Sequence, residues 1–202
     1  MSPRERYVRE LERSLPFALG HRHRVVREVR EHLREGGEEA LARFGPVQEL
    51  AAELRPELRA RAVATASWLV PPLVIAFVVP FYVVPENAFP PPTWDSVPGY
   101  LAWKRDAALV AFAVAVAAAG TAAGVARISA RWAVAPLWLS VAALAAAAAF
   151  ASVLDVQWID AVPGTSAALV YALVPLRFTV VAAAAALVAG ALRDGGGELA
   201  AD

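Results

Sequence analysis

The sequence contains no cysteine and only one lysine, Lys104. The absence of cysteine excludes disulfide bonds, thiol nucleophiles and cysteine-ligated zinc. A single lysine makes the lysine chemistry of phosphate-binding loops and of Schiff-base enzymes implausible. The chain also offers no nucleophile paired with a base, no phosphate-binding glycine loop and no cluster of metal ligands. We therefore expect no catalytic activity, no cofactor and no metal site.

Charge is scarce in most of the chain. Residues 1–61 hold 13 of the 19 basic and 11 of the 19 acidic side chains, although the chain has 202 residues. The net charge of zero is therefore an average over a charged segment and a longer apolar one. Because 58% of all residues are hydrophobic and the mean hydropathy is +0.49, the longer segment is too apolar for water. We predict a soluble domain at 1–58, a membrane domain at 59–193 and a flexible tail at 194–202.

Four stretches are long and apolar enough to cross a membrane as helices. Such a helix needs about 20 apolar residues, and lipid offers no partner to backbone groups that are not in a helix. The alternative, four core helices of a soluble protein, needs polar outer faces that these stretches lack. We predict an all-α protein, with a small cytoplasmic helical bundle followed by a four-helix transmembrane bundle. The predicted spans are residues 62–84, 107–126, 132–154 and 167–192.

The arginines indicate how these spans are oriented. Asp155 and Asp160 lie in a predicted loop, 155–166, that has no basic residue. The other predicted loop on the same side of the membrane, 85–105, has two basic residues, Lys104 and Arg105. Since cytoplasmic loops are enriched in basic residues, both termini are predicted to be cytoplasmic and the loops 85–105 and 155–166 to be external. The predicted location is an inner (cytoplasmic) membrane. The arginines near cytoplasmic span ends are Arg55, Arg59, Arg61, Arg127, Arg131 and Arg193.

Residues 1–58 have the pattern of a small helical domain. Apolar residues recur in them at helical spacing. Pro16, the pair Gly36–Gly37 and Gly45 are expected to separate the helices. Pro56 predicts a break or kink before the first span, because proline removes one hydrogen bond from a helix.

One part of this domain superficially resembles a helix-turn-helix. Its second helix, however, offers Gln48, Glu49 and Glu53. The carboxylates of Glu49 and Glu53 would repel phosphate, whereas a recognition helix needs basic groups beside its amides. We therefore expect no direct contact with nucleic acid, and an exposed arginine and glutamate surface that suits a protein partner.

Three segments carry a more specific pattern: residues 7–15 (YVRELERSL), 27–35 (REVREHLRE) and 40–54 (ALARFGPVQELAAEL). Together they resemble the HAAS domain at the N-terminus of bacterial membrane proteins, over about residues 1–58. The resemblance implies a membrane partner of PadR-type transcription regulators, or a domain that precedes a permease. The matching residues, which are candidates for partner docking or for the domain core, are Tyr7, Leu11, Glu28, His32, Leu33, Ala40, Phe44, Gly45, Leu50 and Ala51.

Two charged or titratable residues need separate interpretation. His32 follows Val29 along an apolar stripe, so we predict a partly buried packing residue between two N-terminal helices, and a pH-sensing role stays open. Arg177 interrupts the fourth predicted span. Either it is buried and pairs with an acidic residue, or the span begins later and Arg177 reaches the outer interface. The candidate partners are Asp106, Asp155 and Asp160.

Two further groups are candidates for contacts. Gly120 and Gly124 form a GxxxG motif, which brings helices close either within the chain or in a homo-oligomer. Trp94, Tyr100 and Trp103 lie in the predicted outer loop 85–105, where they could receive a ligand or simply lie on lipid headgroups.

The predicted function is that of a membrane sensory or regulatory protein. Its partners would be the lipid bilayer and a cytoplasmic regulator of the PadR type, with coupling through residues 56–61. The alternatives are a small permease-like transport subunit with a regulatory N-terminal domain, and a membrane-bound scaffold.

Overall fold

The computed structural model describes residues 2–15, 21–78, 99–161 and 165–192, and all regular structure in them is helical. This confirms the predicted all-α class. The helices are α1 (Pro3–Ser14), α2 (His21–Phe44), α3 (Val47–Ala76), α4 (Gly99–Val125), α5 (Ala130–Ala161) and α6 (Ala167–Leu192).

Helix α1 begins at a capping box. The Ser2 amide donates a hydrogen bond to a Glu5 carboxylate oxygen (2.9 Å), and the Ser2 hydroxyl accepts one from the Glu5 amide (3.2 Å). The backbone hydrogen bond from Ser2 lowers the pKa of the Glu5 carboxyl from its ordinary value. The apolar face that the spacing predicts, Tyr7, Val8 and Leu11, is buried.

Two glycines set the path from α2 to α3. Gly37 interrupts α2 with φ 68° and ψ −147°, at the glycine pair where the sequence predicts a boundary. Gly45 follows the end of α2 with φ 69°. Side chains disfavour this left-handed region, so glycine is the residue that both positions require. Pro46 then precedes the first turn of α3 in an extended conformation.

The N-terminal core lies where α1, α2 and α3 meet. Leu11, Leu33 and Ala51, one from each helix, have at most 1% of their surface exposed. Tyr7 and Phe44 close one side of this core with their ring centroids 6.4 Å apart. The three helices therefore bury one common apolar cluster, because no single amphipathic helix can bury its own stripe.

Helix α3 continues without a break from the N-terminal domain into the apolar bundle. Of the predicted break or kink at Pro56, the break is wrong, since the helix runs through that residue to Ala76, and a kink there stays a prediction. Proline removes only one backbone donor, and packing on both sides of it holds the helix together. The buried residues along α3 form one stripe that belongs to both cores: Val47, Ala51, Leu58, Ala62, Val63, Ala66, Ser67, Val70 and Val74.

The apolar part of the structure is a bundle of α3, α4, α5 and α6. Helices α3 and α5 each contact the other three, whereas α4 and α6 lie on opposite sides of them within the described residues. Alanines dominate the buried positions, which lets the helix backbones approach closely. A hydrogen bond from the buried Ser140 hydroxyl to the Ala115 carbonyl (2.9 Å) joins α5 to α4.

Three helices are long and apolar enough to cross a membrane. They are Leu101–Val125 within α4, Ala130–Asp160 within α5, and Ala167–Leu192, which is α6. The last has the bounds that the sequence predicts. Large apolar side chains of these helices point outward, with Leu109 59%, Val110 64% and Tyr171 63% exposed.

The ends of α4 and α5 differ from the predicted ends. Helix α4 begins at Gly99 rather than near residue 107, and α5 continues to Ala161 rather than ending near residue 154. The prediction ended the spans at charged residues, but a charged side chain does not stop a helix. Asp155 and Asp160 are therefore helical residues and not part of a loop.

The first predicted span is described only in part. Its residues 62–78 belong to α3 and to the turn after it. Residues 79–84, most of the outer loop, Pro16 and the tail 194–202 lie outside the described residues. The count of four spans therefore stays a prediction.

Replacing Leu11 with alanine should destabilise the N-terminal domain by about 2–5 kcal/mol, because it leaves a cavity at a fully buried position. Hydrogen exchange of the full-length protein in detergent would show this as lost protection in α1 and α2. The matched control is Arg13→Ala, an exposed position on the same helix, with an expected change within about 0.5 kcal/mol. Equal exchange in the two variants would contradict the packing described above.

Candidate functional site

A buried ion pair joins α5 to α6 inside the bundle. The Nη1 atom of Arg177 lies 2.5 Å from Oδ2 of Asp155. Only 1% of the Arg177 side chain and 8% of the Asp155 side chain are exposed. The sequence left two interpretations of Arg177 open. The structure supports the first, in which Arg177 is buried and pairs with one of the three predicted acidic partners, Asp155.

The directions of the two helices explain why these side chains meet. Helix α5 runs away from the N-terminal domain, and α6 returns toward it after a short link. In a helix the Cα–Cβ bonds tilt toward the N-terminus. The side chain of Asp155 therefore leans toward the N-terminal domain and that of Arg177 leans away from it. The two side chains therefore approach each other along the bundle axis.

The buried face of α5 around Asp155 carries other polar groups. Ser152 and Trp158 lie three residues before and after Asp155, and both are buried. Residues at this spacing share one helix face. Within the described residues the Ser152 hydroxyl has no hydrogen-bond partner. Helix α5 thus presents a polar strip to the interior of an otherwise apolar bundle.

More polar contacts lie at the same end of the bundle. The Lys104 ammonium on α4 donates a hydrogen bond to the Gln157 side chain on α5. Arg105 contacts Asp106 at 2.8 Å, although both side chains are more than a third exposed. An exposed pair of this kind contributes little to stability. The buried pair is therefore expected to matter more for the stability of this end of the bundle than the exposed pair.

A cavity of about 420 Å³ lies beside the ion pair, between the end of α3 and helices α4 and α5. Its walls are mostly apolar and include the stacked rings of Phe77 and Phe112, 5.8 Å apart. Arg105 and Asp155 are its charged lining residues. An apolar cavity of this size with a few polar groups is typical of small-ligand sites. Because Asp155 belongs to both the cavity and the pair, an occupant would contact the pair directly.

The opposite end of the bundle is basic and lies next to the N-terminal domain. Arg127, in the turn between α4 and α5, stacks on the Trp68 ring of α3 at 4.9 Å from its centroid. Arg131 and Arg61 are exposed at the same end. The charges that the sequence assigns to two membrane faces are thus separated along the bundle axis.

The candidates in the N-terminal domain divide into core and surface residues. Tyr7, Leu11 and Leu33 are buried, Phe44 and Leu50 are partly buried against them, and Gly45 makes the turn before α3. Burial raises the pKa of the Tyr7 hydroxyl.

Glu28 and His32 lie on the surface of α2. Both are exposed, so the predicted packing role of His32 between two helices is wrong. His32 directly precedes the fully buried Leu33, and a step of one residue turns a helix by about 100°. The side chains of Glu28 and His32 are therefore available to a partner.

The GxxxG motif does not bring two helices of this chain together. Gly120 and Gly124 are exposed on α4, and a Cβ atom built on either would meet nothing within 4 Å. The predicted contact within the chain is therefore wrong. A homo-oligomer through this face stays a prediction.

The aromatic candidates of the outer loop are only partly described. Trp94 lies outside the described residues, as does the side chain of Tyr100, whose backbone belongs to the first turn of α4. Trp103 is 53% exposed on α4 and packs edge-on against Phe150. Trp103 is thus a helix residue at the bundle surface rather than a loop residue.

The sequence did not identify Ser152 and Trp158 as buried neighbours of the pair. A signal was present, because Ser152, Asp155 and Trp158 recur at a helical spacing, but ending the span at residue 154 hid it. Among the described residues no group of three or more histidine or acidic side chains could hold a metal ion.

Removing one partner of the ion pair should cost more stability than removing both. Arg177→Leu or Asp155→Leu alone leaves a buried charge, which costs about 3–5 kcal/mol. The double variant leaves no buried charge and should recover most of that loss. Unfolding of the detergent-solubilised variants in increasing denaturant would measure the coupling between the two residues. The matched control is Asp160→Leu, an exposed carboxylate on the same helix. Additive effects of the two single substitutions would contradict the buried contact.

Comparison with known proteins gives a finding for the N-terminal part alone. Residues 6–53 match the model of the HAAS family. The match lies within the predicted range and includes the ten residues on which the resemblance was based. No curated protein and no solved structure matches the chain. The N-terminal helices of this chain, about a quarter of its length, therefore form a HAAS domain.

Proposed function

We propose that this protein is an integral membrane regulator whose HAAS domain engages a cytoplasmic transcription regulator of the PadR type. The observation that carries the proposal is the joining of a HAAS domain to an apolar helical bundle through one unbroken helix, α3. The HAAS domain supports the type of partner. The apolar helices support the membrane location, which we assign to the bacterial inner membrane.

The outward surface of the bundle supports insertion into lipid. Helices α4, α5 and α6 expose large apolar side chains, among them Leu109, Leu139 and Phe178. Water-soluble proteins rarely expose contiguous apolar surfaces, whereas lipid acyl chains suit them. We propose that residues 62–84, which include the end of α3, form a fourth span.

The charge distribution supports cytoplasmic termini. Arg61, Arg127 and Arg131 lie at the end of the bundle near the HAAS domain, and Asp155 and Asp160 lie toward the other end. Basic residues accumulate on the cytoplasmic side of membrane proteins. This orientation places the HAAS domain where a transcription regulator can reach it.

Helix α3 provides a route for coupling between the two parts. Its buried stripe packs against α1 and α2 at one end and against α4, α5 and α6 at the other. A displacement of α6 or an occupant of the cavity beside Asp155 would act on α3 through direct packing. Because α3 packs in both cores, such a displacement would reach the HAAS domain.

The buried polar groups give less support to transport. The hydroxyls of Ser67 and Ser140 are used by hydrogen bonds to backbone carbonyls, and Asp155 and Arg177 neutralise each other. A transport pathway needs polar groups that face a substrate. We therefore propose regulation rather than transport.

Introduced cysteines should report the orientation without interference, because the chain has none of its own. Ile128→Cys, in the exposed turn near the HAAS domain, should stay unlabelled by a membrane-impermeant maleimide in intact spheroplasts. Asp160→Cys, near the other end of α5, should be labelled. Permeabilised membranes, in which both positions should react, provide the control. The reverse labelling pattern would overturn the proposed orientation.

The detergent-solubilised, tagged protein should co-purify with a PadR-type regulator encoded beside it. Contact through the HAAS domain predicts that Leu33→Asp, which places a charge in the domain core, abolishes the interaction. The control is Leu139→Ala, at an exposed apolar position of the bundle far from that domain, which should leave the interaction unchanged. Failure of the regulator to bind the intact protein would count against the regulatory function.

A further inference from the structure

A groove of about 770 Å³ runs between α1 and α2 on the surface of the HAAS domain. Arg4 and Arg9 line it from α1, and Arg30 and Arg34 line it from α2. No residue of α3 or of the bundle contributes to its lining. The groove is therefore accessible while α3 holds the domain on the bundle.

The positive charge of this groove is not balanced within the domain. Among the described residues, none of the four arginines forms an ion pair within 4 Å. The two acidic residues of the lining are already engaged elsewhere. Glu5 caps α1 and attracts Arg9 only at a longer distance, and Glu12 lies 3.8 Å from Arg22.

The spacing of the arginines indicates the geometry of a ligand. Arg30 and Arg34 are four residues apart, so they lie one above the other on α2, about 6 Å apart along its axis. Guanidinium groups bind carboxylates through two parallel hydrogen bonds. A helix with acidic residues four apart presents carboxylates at the same interval. The long aliphatic stems of the arginines would cover such a helix from both sides.

We propose that this groove docks an acidic helix of the cytoplasmic protein partner. The inference rests on the proposed function and deepens it, since it places the partner contact between α1 and α2. A concave groove between two helices suits a protein segment, whereas a bilayer surface is flat. The guanidinium groups of the four arginines provide the specificity for carboxylates.

The test measures binding of a fluorescent synthetic peptide, with Glu at every fourth position, to the full chain in zwitterionic nanodiscs. Arg30→Glu/Arg34→Glu should weaken this binding by about tenfold or more, because two attractive contacts become repulsive. The matched control is Arg24→Glu/Arg27→Glu, which reverses two exposed charges on the same helix outside the groove. Its expected change is within about twofold, since distant surface charges are screened by salt.

Three results would overturn the groove proposal. One is equal weakening by the two double variants, which would indicate a general charge effect. Another is equal binding of a peptide with Lys in place of Glu. The third is groove-dependent binding to nanodiscs with anionic lipid but no binding of the acidic peptide, which would assign the groove to the membrane surface. Circular dichroism of Arg30→Gln/Arg34→Gln, whose peptide binding should also fall, checks that lost binding does not reflect unfolding.

The outcomes for the groove and for the proposed function can be told apart. If the regulator co-purifies with the intact protein and with Arg30→Glu/Arg34→Glu alike, the groove proposal fails and the regulatory function stands. If the acidic peptide binds through the groove but no regulator co-purifies, the groove proposal stands and the choice of a PadR-type partner fails.

Discussion

The structure depends on the burial of one apolar stripe along α3. The first part of that stripe, including Ala51 and Leu58, completes the core of the HAAS domain. Its second part, including Ala66 and Val70, lies at the centre of the bundle. Neither core is complete without α3, so the two parts of the chain cannot rearrange independently. This shared helix is the physical basis for treating the HAAS domain and the apolar bundle as one structural unit.

The ion pair between Asp155 and Arg177 imposes a second constraint. Burying two charges is costly, and the cost is offset only when the two groups remain in contact. Any movement that separates α5 from α6 therefore meets a steep energetic penalty. Movements that keep the pair intact, such as a tilt of both helices against α3, do not. The pair thus limits how the bundle can change shape, and the adjacent cavity places a possible occupant next to it.

The sequence predicts some helices more accurately than others. Helix α6 has its predicted bounds because glycine and proline precede it and its apolar run is uniform. The ends of α4 and α5 were misplaced because Arg105 and Asp155 look like interface residues in a linear sequence. Pro56 predicts a break or kink in the sequence, yet α3 continues without a break because residues on both sides of it are packed. The spacing of His32 from Val29 predicts a partly buried packing residue, yet His32 is exposed, because neighbouring positions on a helix face different directions.

The sequence by itself determined the helical class, the division into a charged and an apolar part, and the HAAS pattern. These properties depend on composition and local periodicity, which a linear chain contains in full. Only the tertiary structure decided that Arg177 pairs with Asp155 and that Gly120 faces outward. It also decided that four arginines, which form no ion pair among the described residues, meet in one groove. The reason is that each of these properties depends on which helix faces which, and that is set by the packing of the whole chain rather than by any one segment.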